Sequence, residues 1–182
     1  MSENLPIKDA LYSKINDIGE EQIHRLLINS KFSELFEEIY EPVINSITNI
    51  DEYEKYGTLA ESLTHYLFTE MLIPSQRKIS FENVELDIVI PNNTELEKNG
   101  QDAIVIFFVK TPNIEQIKQK IQNIKKIQNE NANIWIISKN DINIPQVTYK
   151  IEKESFSKFL KDTQNFINTK KINKLKIFKT KV

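Results

Sequence analysis

Cysteine is absent from the 182-residue chain, and glycine occurs at only three positions. Without thiols the protein has no disulfide, no thiolate metal site and no cysteine nucleophile. The three glycines are far apart, so there is no glycine-rich phosphate-binding loop. Two histidines and no cysteine argue against a structural zinc site, and no serine–histidine motif indicates a hydrolase triad.

Long apolar runs are also lacking. No stretch reaches the eighteen or so residues that a membrane-spanning helix needs. The N-terminal stretch has no basic region followed by an apolar one, so we expect no signal peptide; it reads "MSENLPIKDALYSK". We therefore expect a cytoplasmic protein that does not enter a membrane.

Charge is distributed unevenly, although the formal net charge is only −2. Residues 1–56 hold 12 acids and 5 bases, whereas residues 57–182 hold 14 acids and 19 bases. The last fifteen residues carry six lysines and no acid. This pattern allows a polyanionic partner for the later part, and a solubilising basic tail explains it equally well.

Three amphipathic helices are predicted in the first part of the chain, because apolar residues recur there at helical spacing. Gly19 and Pro42 are predicted to interrupt the first two helices, and Pro74 to end the third. The stretches are "IKDALYSKINDIGEEQIHRLL" (7–27), "SELFEEIYEPVINSITNI" (33–50) and "GTLAESLTHYLFTEML" (57–72).

The period then changes to that of β-strands. Alternation predicts a hairpin with its tight turn at Glu82–Asn83, between "RKISFE" (77–82) and "VELDIVIP" (84–91). A polar loop is expected at "NNTELEKNGQD" (92–102). An all-apolar strand, a helix and a second apolar strand predict a parallel crossover, formed by "AIVIFFVK" (103–110), "NIEQIKQKIQNIKKIQ" (113–128) and "NIWIIS" (133–138). An edge strand and a helix are expected last, at "VTYKIE" (147–152) and "SFSKFLKDTQNFI" (155–167).

Three charged residues stand at positions that suit phosphodiester chemistry. Asp87 interrupts an apolar strand, where an unpaired carboxylate is costly. Lys110 ends the next strand and shares a face with Phe108. Glu61 lies on the helix before the hairpin. Metal-dependent phosphodiesterases combine such acids, which bind a divalent cation, with a lysine near the attacking water.

The stretches "GTLAES", "VELDIVIP" and "IVIFFVK" resemble the PD-(D/E)XK nuclease superfamily over roughly residues 57–138. The resemblance implies a restriction-endonuclease-like α/β fold, with a mixed central sheet in an α-β-β-β-α-β core. It implies Glu61 as the helix acid, Asp87 as the central metal ligand, Lys110 as the catalytic lysine, and Mg²⁺ or Mn²⁺ as the cofactor.

One position departs from the superfamily pattern. The acid expected two residues before the lysine is Phe108, which has no metal-binding atom. Some members supply a carboxylate from the following helix, where Glu115 is the nearest acid. The alternative role of Glu115 is to compensate the helix dipole.

We expect a nuclease-like protein that acts on nucleic acid, with weakened or lost hydrolysis. The alternative is an inactive module that binds nucleic acid or protein, with the acidic N-terminal helices as a dimer or partner surface. A generic α/β domain with a fully parallel sheet is the third possibility. The predicted division is a helical segment (1–56), a nuclease-like core (57–152) and a C-terminal helix with a basic tail (153–182).

Several residues near these three are weaker candidates for the same chemistry. Arg77 and Lys78, at the start of the first strand, are candidates for phosphate contact. For His65, one helical turn after Glu61, a pair with Glu61 is expected, and proton transfer or phosphate contact is the functional alternative. Glu85 competes with Asp87 as the acid of its strand. A further basic strip lies on the polar face of the 114–127 helix, at Lys118, Lys125 and Lys126. Each of these residues has a solvated surface role as its alternative.

Overall fold

A computed structural model describes residues 5 to 179, with side chains described from residue 6 to residue 170. Helices form the first part of the chain, as predicted. Gly19, with φ of 84°, separates the first two helices, as expected. The helices are α1 (Leu5–Ile18), α2 (Glu20–Ile28), α3 (Phe32–Leu35), α4 (Glu41–Ser46) and α5 (Glu52–Glu70).

The predicted interruption at Pro42 takes the form of a π-helical segment. This segment, Phe36–Tyr40, connects α3 to α4 and ends just before the proline. Because proline has no N–H to donate, the backbone bonding pattern must change in this turn. Phe36, Ile39 and Tyr40 are nevertheless buried, so the segment packs into the core.

Helix α5 begins five residues earlier than predicted. The Asp51 carboxylate accepts hydrogen bonds from the backbone N–H groups of Tyr53 and Glu54, at 3.0 and 3.1 Å. This N-cap fixes the first turn before Gly57, where the prediction began the helix. The predicted division between residues 56 and 57 therefore lies inside α5, and the division itself stays a prediction.

Five strands form one mixed sheet in sequence order. Strands β1 and β2 are antiparallel, β2 and β3 are antiparallel, and β3, β4 and β5 are parallel. This arrangement excludes the fully parallel sheet and confirms the predicted parallel pair. The strands are β1 (Gln76–Phe81), β2 (Val84–Ile90), β3 (Ile104–Phe108), β4 (Ile134–Ser138) and β5 (Val147–Lys150).

The predicted hairpin between β1 and β2 is confirmed. Phe81 pairs with Val84, and the two residues between them have positive φ, 48° at Glu82 and 61° at Asn83. Positive φ at both central residues is the type I′ geometry, which matches the twist of a two-residue hairpin.

The polar stretch after β2 is not a plain loop, so that prediction was wrong. It contains helix α6 (Asn93–Lys98), for which the Asn92 side chain accepts from the Glu95 N–H at 2.9 Å. Leu96 is buried beneath the helix, so one apolar contact and one cap stabilise a short element that polarity alone did not indicate.

The remaining predicted helices are confirmed as α7 (Ile114–Lys125) and α8 (Lys153–Lys179). The side chains of the basic run after residue 170 lie outside the described ones. No helix within the described residues is long and apolar enough to cross a membrane.

The sheet lies between two apolar layers. Alternate residues of β3 enter different layers: Ile104, Ile106 and Phe108 face one, while Val105 and Phe107 face the other. The larger layer joins α1 to α5, the sheet and α8, and the smaller one lies under α6 and α7. The protein thus has a mixed α/β fold with helices on both faces of a five-stranded mixed sheet.

Candidate functional site

Helix α5 lies directly against the end of β3. A Cβ atom at Gly57 would lie 2.4 Å from the Val109 carbonyl oxygen and 2.7 Å from Lys110 Cγ. Only glycine permits this approach without displacing backbone. Glu61 follows one turn later on the same helical face, which brings its carboxylate to Lys110.

Glu61 is a buried carboxylate with a cation on each oxygen. Its side chain is 1% exposed. Oε1 accepts from Arg77 Nε at 2.7 Å, and Oε2 accepts from Lys110 Nζ at 2.5 Å. Arg77 comes from β1 and Lys110 from the residue pair after β3, so three separate elements meet at one carboxylate.

Arg77 and Lys110 lower the pKa of Glu61 by more than burial raises it. Burial by itself raises the pKa of Glu61, whereas the charges and hydrogen bonds of Lys110 and Arg77 lower it, and the net pKa is below the ordinary value. Glu61 is therefore an anion whose charge is neutralised inside the protein.

Asp87 lies where β2 and β3 separate. Residues 88–90 of β2 pair with β3. Asp87 precedes these paired residues, and its Oδ2 accepts a hydrogen bond from the backbone N–H of Phe108 in β3 at 2.8 Å. Burial and the nearby charge of Glu61 raise the pKa of Asp87, against the opposing effects of Lys110, the Phe108 N–H and Lys120. One oxygen of Asp87 thus has a structural role in place of a strand-to-strand hydrogen bond.

The three predicted site residues come together. Glu61 and Lys110 are in contact, and Asp87 bonds the residue two before Lys110. Arg77 was a candidate for phosphate contact, but its guanidinium binds Glu61 and also approaches Ser62 Oγ at 3.5 Å. A buried glutamate requires such a partner, yet the amphipathic pattern gave no sign that Glu61 is buried.

The two positions proposed for a second acid are not part of this group. Phe108 is fully buried in the larger apolar layer. Glu115 lies on the first turn of α7 with its side chain 79% exposed, and its partner is Lys118 at 3.4 Å. The Asn113 side chain caps the same turn through the N–H groups of Glu115 and Gln116. Glu115 therefore fits its alternative role at a helix N-terminus.

His65 follows Glu61 by one helical turn, but the expected hydrogen bond between the two side chains does not form. Both Glu61 oxygens bind other residues, and His65 Nδ1 is buried with no hydrogen-bond partner in the described part of the chain. Burial, Arg77 and Lys8 lower the pKa of His65, so the ring is neutral near pH 7.

These carboxylates do not fit a divalent-cation site. Mg²⁺ binds through free carboxylate oxygens together with water. Here Glu61 gives both oxygens to cations and Asp87 gives one to a backbone N–H. Over residues 6–170, no group of three or more His, Asp or Glu side chains is arranged to hold a metal. This geometry does not support the expected Mg²⁺ or Mn²⁺ cofactor, which stays a prediction from the resemblance.

Two further cationic residues lie on neighbouring elements, Lys78 on β1 and Lys120 on α7. Lys120 Nζ donates to the backbone carbonyl of Glu85, and its charge acts on Asp87. Lys78 is exposed and stands between the two residues that pair with Ile88 and Leu86, so it lies opposite Asp87 in the register. The group formed by Glu61, Asp87, Arg77, Lys110, Lys78 and Lys120 therefore contains more positive than negative residues. We call these six residues the Glu61 centre.

No family model, curated protein or solved structure matches the chain. The resemblance to the nuclease superfamily therefore rests on the residues alone. What the structure shows is the mixed α/β fold and the meeting of Glu61, Asp87 and Lys110.

Asp87→Asn is expected to stabilise the protein near neutral pH, with a gain that shrinks as the pH falls. A carboxyl with a raised folded-state pKa stabilises the fold below its ordinary pKa, and this contribution is lost as pH rises through the raised value. Asparagine keeps an oxygen for the Phe108 N–H and carries no charge. Urea unfolding at about pH 4 and about pH 7 measures the difference.

Asp9→Asn is the matched control, because Asp9 is exposed on α1. It should change the free energy of unfolding little at either pH. A gain for Asp87→Asn that is larger in acid than at neutral pH would contradict the assigned direction.

Proposed function

We propose that the protein is a restriction-endonuclease-like module that binds nucleic acid at the Glu61 centre without hydrolysing it there. The observation that carries this proposal is the meeting of Glu61, Asp87 and Lys110, which come from α5, β2 and the end of β3. These are the three positions that the resemblance assigns to a nuclease site. The mixed sheet with its β1–β2 hairpin is consistent with the fold that the resemblance implies.

The local charge favours a polyanion as the ligand. The Glu61 centre contains two carboxylates and four cationic residues, and the side chain of Lys110 remains 32% exposed. Residues 57–182 also carry five more bases than acids. Phosphate backbones are bound through such lysines and arginines, with release of counterions.

The geometry favours binding over hydrolysis. Hydrolysis by this class of site requires carboxylate oxygens that face a metal and water. Glu61 has both oxygens on cations, Asp87 has one on a backbone N–H, and the second-acid position is the buried Phe108. Phosphate contact needs only the surrounding cations, which are present.

The test is binding of labelled single-stranded, duplex and branched DNA, and of RNA, followed by fluorescence anisotropy in EDTA. We expect binding that weakens steeply with salt, and a clear loss of affinity in Lys78→Gln/Lys120→Gln. The matched control is Lys31→Gln/Lys98→Gln, two lysines that form exposed i,i+3 pairs with Glu34 and Glu95. Removal of two phosphate contacts reduces the slope of log affinity against log salt by about two.

Three outcomes would contradict the proposal. Wild type that binds none of the four nucleic acids would direct attention to a protein partner at the acidic N-terminal helices. Equal losses in the two double variants would indicate a general charge effect. Cleavage with Mn²⁺ that disappears in Asp87→Asn would show a metal-dependent nuclease in place of a binding module.

A further inference from the structure

We propose that Arg77 occupies the place on Glu61 that a divalent cation would need, so that the Glu61 centre binds no metal. The exclusion of a metal by Arg77 does not depend on which ligand the protein binds. Arg77 Nε contacts one oxygen of Glu61 at 2.7 Å, while Lys110 Nζ contacts the other at 2.5 Å. A metal ion would have to displace at least one of these groups.

Displacement of the guanidinium is opposed by burial. The Glu61 side chain is 1% exposed and that of Arg77 is 14% exposed. In such surroundings a charge separated from its partner has little water to replace the lost contact. A hydrated Mg²⁺ or Mn²⁺ ion must also give up water to enter, and Mg²⁺ does so reluctantly. Exchange of the guanidinium for a metal is therefore unfavourable on both sides.

Asp87 alone is a poor point of attachment for a metal ion. One of its oxygens accepts the Phe108 N–H, and Lys110 and Lys120 are near enough to act on its charge. The next residue on the same strand face as Lys110 is Phe108, which is buried among apolar side chains. A cation at this position would thus meet other cations on one side and hydrocarbon on the other.

Removal of Arg77 should create the site that its guanidinium fills. The guanidinium contacts Glu61 Oε1 and approaches Ser62 Oγ at 3.5 Å, so the space it leaves is lined by two oxygen atoms. Oxygen atoms are the ligands that Mn²⁺ and Mg²⁺ take in proteins. A truncated Arg77 therefore leaves a carboxylate and a hydroxyl facing the same space, with Asp87 nearby.

The first experiment is titration of Mn²⁺ alone into the full-length protein, with free Mn²⁺ followed by electron paramagnetic resonance. We expect no saturable Mn²⁺ site in wild type and a saturable one in Arg77→Ala, at least tenfold tighter than any residual binding by wild type. The gain should disappear in Arg77→Ala/Glu61→Gln. Arg25→Ala is the matched control, since Arg25 is the only other arginine of the sequence and donates to Gln22 on the exposed face of α2.

The second experiment uses wild type, so that it remains decisive if Arg77→Ala does not fold. With only two arginines in the chain, nitrogen-labelled protein gives two side-chain Nε–H signals, and Arg25→Ala identifies the one from Arg77. We expect the Arg77 signal to stay unchanged as Mg²⁺ is added.

Either of two results would overturn the inference. A saturable shift of the Arg77 signal with Mg²⁺, or a saturable Mn²⁺ site in wild type that Glu61→Gln removes, would show that the metal displaces the guanidinium. A folded Arg77→Ala that gains no Mn²⁺ affinity would show that Arg77 is not what excludes the metal.

Discussion

Glu61→Gln is expected to lower the free energy of unfolding by about 3 kcal/mol, because it removes the negative partner of two cations that are mostly buried. Arg77 and Lys110 would then face a neutral amide, and neither has enough exposure to be rehydrated fully. Urea unfolding near pH 7 measures the loss. The exposed control is Glu115→Gln, whose pair with Lys118 should contribute less than about 1 kcal/mol.

The effect of Glu61→Gln should depend on pH in a defined direction. A carboxyl with a lowered folded-state pKa stabilises the protein above its ordinary pKa, and that stabilisation is lost as the pH falls through the lowered value. The difference between wild type and Glu61→Gln should therefore be largest near neutral pH and shrink in acid. A loss no greater than that of Glu115→Gln, or one independent of pH, would show that the ion network contributes little.

A double-mutant cycle separates the Glu61–Arg77 contact from the cost of an unpaired charge. Arg77→Met alone leaves Glu61 with Lys110, and Glu61→Gln alone leaves Arg77 unpaired. If the contact couples the two side chains, the double variant should be more stable than the sum of the single losses predicts. Additive losses would assign the stability to other contacts of α5.

Those parts of the fold that depend on local pattern were predictable from the sequence. Alternation in the two runs around Glu82–Asn83 gave the hairpin, and an all-apolar run gave the central strand β3. Helix α7, which follows β3, has apolar residues on one face only, and this pattern predicted the crossover to the parallel strand β4. The alternation of β2 does not mark a single buried face, however, because Val84 and Leu86 enter the smaller layer and Ile88 and Ile90 the larger one.

Elements that depend on a single cap were missed or placed wrongly. The start of α5 is fixed by the Asp51 carboxylate, and α6 by the Asn92 amide. Both caps precede stretches in which polar residues dominate, so the spacing of apolar residues did not predict a helix there.

The sequence pointed to Glu61, Asp87 and Lys110, but it indicated neither Lys120 nor the partners of Glu61. Asp87 interrupts an apolar strand and Lys110 ends one, whereas Glu61 is indicated only by its place on the helix before the hairpin. The partner of Glu61 depends on the register of β1 against β2, which places Arg77 opposite Ile88. That register, and the close approach of α5 at Gly57, are properties of the assembled sheet and cannot be read from spacing along the chain.

Phe108→Asp is expected to unfold the protein or nearly so, with a loss above about 4 kcal/mol. Truncation of a buried phenylalanine alone costs about 3–5 kcal/mol, and a carboxylate in its place would also be buried without a partner. Folded domains are stable by only about 5–15 kcal/mol. Circular dichroism and urea unfolding measure the result.

Two control variants separate position from chemistry. Phe108→Leu keeps an apolar side chain in the layer and should cost about 1.5 kcal/mol. Phe81→Asp places the same carboxylate on the half-buried end of β1, next to the hairpin turn, and should be tolerated far better.

If Phe108→Asp instead folds with unchanged stability and acquires Mn²⁺ binding, position 108 must open to the Glu61 centre. In that case one substitution would separate this protein from a metal site. If Phe108→Asp unfolds while both control variants fold, position 108 belongs to the apolar core. Metal-dependent chemistry would then require changes in the surrounding core as well as at position 108.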